Sequence, residues 1–183
     1  MPHSWRHICE MSKRVMRFAT VVLLTVIATG CSRAPATFDA QKFVVTTTQS
    51  ALADADLGIL AARRGRLPET RQLGSILHRQ QLDLQRALAV IAQQKRLGIP
   101  TAIEPRKVAL RENLEILPGQ VFDRGYALAM VQDLNAMSAS FEKASRSNDR
   151  ELAAFAAQNL PRIREQRALA SQLLKQLGGS PFA

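Results

Sequence analysis

Sulfur and aromatic side chains are scarce in this chain of 183 residues, which has two cysteines, one tyrosine, one tryptophan and 5% aromatic residues. A core so poor in rings must be filled mainly by Leu, Ile, Val, Ala and Met. Cys9 precedes an uncharged apolar run and Cys31 follows it directly. If the chain is cut before Cys31, one thiol remains and no internal disulfide can form. Of three histidines only His78 lies beyond the first thirty residues, so a metal site built on several imidazoles is excluded. No Glu-x-x-His pair, glycine-rich phosphate loop, Cys-x-x-Cys pair or nucleophile elbow occurs, and no serine stands at a suggestive spacing from a histidine or acid. These absences argue against an enzyme and imply no cofactor.

Charge of one sign is plentiful. The formal net charge is +10, of which residues 1–30 carry +3 through Arg6, Lys13, Arg14 and Arg17 against Glu10, leaving +7 for the remainder. Such an excess suits anionic headgroups or anionic envelope polymers, or simply keeps helical faces solvated. The aromatic interleaving that single-stranded nucleic acid requires is missing, so nucleic acid is not an expected partner.

From Met11 the sequence has basic residues, then an uncharged stretch from Phe18 to Ala28, then Thr29, Gly30 and Cys31. A short basic segment, a short apolar segment and small residues before a cut are the features of a secretory signal. The apolar run is about half the roughly 20 residues a membrane-spanning helix needs. Ala28-Thr29-Gly30-Cys31 resembles the lipobox of bacterial lipoproteins, in which the cysteine is acylated and becomes the first residue. That resemblance implies lipid attachment at Cys31. With Ser32 rather than Asp after it, it also implies sorting to the outer membrane, facing the periplasm. Residues 1–30 are thus expected to be a signal peptide, with translation starting at Met1, Met11 or Met16, and residues 31–37 a lipidated tether.

Residues 38–177 show helical periodicity and nothing that reads as a strand. The first helix is expected over about 38–64, with Val45, Leu52, Ala53, Leu57, Leu60 and Ala61 on its apolar stripe. The second, over about 69–97, carries Leu73, Ile76, Leu77, Gln80, Leu84, Leu88 and Ile91. A connection over 101–117 holds one or two helical turns. The third long helix, over about 120–145, presents Phe122, Tyr126, Ala129, Met130, Asp133, Met137 and Phe141. A fourth begins at an Asn148 cap with Glu151 in the capping-box position and carries Leu152, Phe155, Ala156, Leu160, Ile163, Ala170, Leu173 and Leu177, with Pro161 expected to kink it. Residues 178–183 form a loose tail. Four apolar stripes joined by two short turns and one longer connection, between the second and third helices, predict an all-α antiparallel four-helix bundle.

Leu52-Ala-Asp-Ala-Asp-Leu-Gly58, Phe122-Asp123-x-x-Tyr126 with Met130, Val131 and Asp133, then Phe141, Leu160-Pro161 and Glu165 resemble, in order and spacing, a bacterial family catalogued as domain of unknown function 4142. The resemblance covers about residues 43–174 and implies an exported, ferritin-like helical bundle with no settled activity. The histidines common in that family are matched here by Gln80, Leu134 and Gln166, and its first-helix acids by Asp54 and Asp56.

The inward polar candidates are Asp56, Gln80, Asp133 and Gln166. Two carboxylates and two amides make a poor transition-metal site, so a hydrogen-bonded layer fixing helix register, or residues that merely flank the stripe, is the favoured reading. The expected function is a non-enzymatic interaction or envelope-stress module, anchored to the membrane through Cys31. The alternatives are a ferritin-like metal-binding or redox protein and a binder of anionic envelope polymers or of a protein partner.

Overall fold

The computed structural model describes residues 38–178. The expected signal peptide over 1–30, Cys31 with its tether, and residues 179–183 of the tail lie outside the described residues. Five helices and no strand occur among those described: α1 (Ala40–Arg64), α2 (Pro68–Gln94), α3 (Pro105–Glu115), α4 (Gly119–Ser145) and α5 (Arg150–Gln176). None is long and apolar enough to cross a membrane.

Each boundary has a local cause. Asp39 opens α1, its Oδ1 accepting from the Lys42 N–H at 2.9 Å. Pro68 stands in the first turn of α2, where a missing N–H costs nothing. Helix α2 ends at Gln94, three residues before the expected end at 97, and Arg96, with φ of 55°, turns the chain away. The cap of α5 is Asp149, accepting from the Leu152 N–H at 3.2 Å, and not the expected Asn148. Helix α5 runs through Pro161 as one element. Pro161 and Ala157 are both exposed, so the carbonyl that loses its donor faces water.

Helix α1 lies along α2, α4 lies along α5, and α1 and α2 also meet α4 and α5 respectively. The shared interior is aliphatic with a small aromatic group. Phe43 meets Phe141 edge-on at 5.2 Å, and Phe141 meets Phe155 at 5.9 Å. The expected stripes of α4 and α5 are buried, except that Asp133 is only partly so.

The buried faces of α1 and α2 keep most of the expected stripes, Ala53, Leu57, Leu60 and Ala61 on α1 and Leu73, Leu77, Leu84 and Leu88 on α2, but that of α1 extends beyond its stripe. Val45 and Leu52 are only half-buried, whereas Ala51, Asp54, Ala55 and Gly58 are buried. The cause is a close crossing of the two backbones. A Cβ on Gly58 would lie 2.7 Å from the Gly74 carbonyl oxygen and 2.7 Å from the His78 nitrogen. Only small residues fit such a seam, so the largest apolar residues of α1 do not all mark its buried face.

The connection expected to hold one or two turns contains α3, eleven residues long, with Leu114 its only fully buried side chain. Leu114 packs where Gly125 of α4 leaves room, since a Cβ there would come within 2.8 Å of its Cδ2.

Candidate functional site

Charged side chains, more than apolar ones, set α3 against α1 and α4, and they converge on one buried acid. Asp54 of α1 is fully buried. Asp133 of α4 lies beside it and is ion-paired to Lys107 of α3. One turn along α3, Arg111 Nε meets Asp56 Oδ2 at 2.9 Å and its Nη1 meets Glu115 Oε2 at 2.6 Å.

Burial pushes the Asp54 carboxyl well above its usual range, and the Asp133 charge pushes it further, against the opposing pull of Lys107. Neither Asp54 oxygen has an N–H or hydroxyl donor, nor does Asp133 Oδ2. A proton kept on Asp54 supplies the missing donor, and Asp133 takes that hydrogen bond. Asp54 thus favours its protonated form, and the Lys107 ammonium pairs with Asp133 beside it. The Tyr126 hydroxyl, also fully buried and without a partner, is raised by burial and then by the charge of Asp54. The cluster can hold a proton between its oxygens.

A second polar layer joins α2 to α5. Gln166 Nε2 donates to Gln80 Oε1 at 2.6 Å, and Gln81 Nε2 donates to Gln166 Oε1 at 3.1 Å. His78 is half-buried on the α1 side of α2, its Nδ1 2.9 Å from the Ala55 carbonyl oxygen. At the α1–α2 turn, the fully buried Asp123 of α4 accepts from the backbone N–H groups of Arg66 and Leu67, both at 2.9 Å.

The four inward candidates therefore separate. Asp133 reaches the interior beside Asp54, and Gln166 is buried in the amide layer. Gln80 is half-buried, and the fully buried amide of α2 is Gln81. Asp56, expected inward, sits at the edge of α1 with its side chain 35% exposed. The buried face of α1 is wider than its expected stripe: the Gly58 seam takes in Asp54 and Ala55 beside Leu57 and Ala61 and leaves Asp56 at the edge. Lys107 and the role of Tyr126 were missed. A Tyr126 on an apolar stripe reads as core, and nothing local to Lys107 points across 26 residues to Asp133.

Comparison with known proteins places this arrangement. The model of the family described as Domain of unknown function, DUF4142, matches residues 27–173. The chain belongs to this family. A search of curated proteins finds none that matches. Among solved structures, a DUF305 fragment from Deinococcus radiodurans is similar, with a TM-score of 0.66 and 17% identity, over 76% of this chain and 99% of that one. That likeness speaks to the fold shared by a family member and a second domain type.

Proposed function

We propose that this member of the family is an exported lipoprotein, acylated at Cys31, facing the periplasm from the outer membrane, and acting as a non-enzymatic interaction module. Its four long helices form an antiparallel bundle, with α3 strapped across one side as part of the connection. The observation that carries the reading is the order of features in the sequence: basic residues, the uncharged run, then Ala28-Thr29-Gly30-Cys31. Acyl chains contribute roughly 0.8 kcal/mol per buried methylene, so two or more hold a protein firmly. The polar groups of the interior suit a module that holds its shape: Asp54 is neutralised by a proton, Asp133 by Lys107, and the amides by one another. Intact-mass and peptide mass spectrometry of the mature protein tests the anchor. A diacylated Cys31 as first residue is expected, and a free thiol within an uncut N-terminal segment overturns it.

A second reading, a metal-binding member of a ferritin-like group, draws on the unpartnered oxygens of Asp54, Asp133 and Tyr126. Hard cations prefer more carboxylates than this pair supplies, and Lys107 already provides the positive charge. Metal analysis of protein purified without chelator separates the two. Stoichiometric metal, lost in Asp54→Asn, would establish the second.

A further inference from the structure

We propose that the end of the helical domain where α1 begins is a docking face for anionic phospholipid headgroups, so that the anchored protein stands with this end against its membrane. The inference rests on the acylated Cys31 reading and adds an orientation to it.

Four helix ends meet there. Lys95, just after α2, bridges to Asp149 Oδ2 before α5 at 3.0 Å. Gln41 of α1 exchanges two hydrogen bonds with Gly98, at 2.9 and 2.8 Å. Phe43, Phe141 and Phe155 join α1, α4 and α5.

The carboxylates at this end are all engaged. Asp39 caps α1. Asp149 caps α5 and holds Lys95, which also lies 3.9 Å from Glu151. Glu142 binds Arg164 at 2.8 Å. The cations are in excess. Lys42, Arg96, Lys143, Arg146 and Arg150 are exposed, and among the described residues none has a carboxylate within 4.0 Å. Lys42 and Lys143 line a groove of about 210 Å³ together with Phe38 and Asp39, whose Oδ1 already accepts from the Lys42 N–H.

Position selects the partner. Phe38 follows Cys31 by seven positions, a span of at most about 25 Å. An acylated Cys31 therefore keeps this end close to the headgroups, where screening over about 8 Å still permits attraction once contact is made. The other end also carries cations, among them Arg63, Arg64, Arg66 and Lys175. It lies the length of α1 away, about 37 Å for 25 residues, beyond the reach of the surface field.

The test uses the acylated mature protein in vesicles of phosphatidylcholine alone or with about 30% phosphatidylglycerol, treated briefly with an amine-acetylating reagent. Peptide mass spectrometry reads each lysine and the Cys31 peptide together. Acetylation of Lys42 and Lys143 is expected to fall about fivefold in the anionic vesicles and to recover in about 0.5 M salt, with Lys175 unchanged. Equal labelling in both vesicle types, or protection that ignores salt, overturns the docking face while an acylated Cys31 leaves the anchor standing. An unmodified Cys31 overturns both.

Discussion

Asp123 of α4 accepts a hydrogen bond from the backbone N–H of Leu67, the residue that opens α2, at 2.9 Å. No side chain within α2 caps that end, and the second oxygen of Asp123 takes the N–H of Arg66. A carboxylate from a helix 56 residues away thus serves where the positive end of the α2 dipole favours an anion. Asp123→Ala leaves two backbone donors unpaired in a partly buried place. Losses of about 1–3 kcal/mol per unsatisfied donor suggest destabilisation of roughly 3 kcal/mol, read from urea denaturation. Asp123→Asn keeps one acceptor and should cost about half as much. Equal losses for both variants would mean that the charge, and not the pair of bonds, is what matters.

Asp54 should make stability fall as pH rises. In the unfolded chain it ionises near its ordinary value of 3.8, whereas in the folded protein it keeps its proton to higher pH. Its contribution is therefore full below the unfolded value and is lost as pH climbs through the raised folded value. Asp54→Asn keeps a donor for Asp133 and removes the ionisation. The variant should be more stable at neutral pH by about 1 kcal/mol, with a flatter profile of Tm against pH above 4. A variant whose profile matches the parent would place the titration elsewhere.

Lys107→Met removes the ammonium from a pair whose side chains are 11% and 19% exposed. Removing one partner of a largely buried pair leaves a charge uncompensated, for an expected loss of about 2 kcal/mol. Hydrogen exchange should accelerate over Pro105–Glu115 more than over α5, because α3 buries little else. Adding Asp133→Asn should restore most of the loss. No recovery in the double variant would show that the methylenes of Lys107 matter more than its charge.

Gly58→Ala tests the seam between α1 and α2. An alanine in mid-helix ordinarily stabilises by up to about 1 kcal/mol. Here its methyl would meet backbone atoms of Gly74 and His78 at 2.7 Å, and backbone cannot swing aside. Forced separation should cost about 2 kcal/mol net. A neutral or stabilising result would mean that the helices part freely.

Legibility followed side-chain size. Helices α4 and α5 carry Phe122, Met130, Phe141, Phe155 and Ile163 at helical spacing, and their buried faces could be read from the sequence. On α1 Leu57 and Leu60 are buried as expected, but the small residues Ala51, Ala55 and Gly58 and the acid Asp54 share the interior, so large apolar residues marked only part of the buried face. The same shortfall put Asp56 inward and left Asp54 as a mere family match. Helix α3 was underestimated because its position depends on Lys107 and Arg111 finding partners on other helices, and charge pairing across helices leaves no periodic trace. Asp133 was legible because it falls on the stripe of α4.

The paired hydrogen bonds between Gln41 and Gly98 have a mechanical consequence. They tie the first turn of α1 to the chain just after α2, and the ring contact of Phe43 with Phe141 ties the same turn to α4. Unwinding of α1 from its start has to break both links, so the neighbouring helices steady that end.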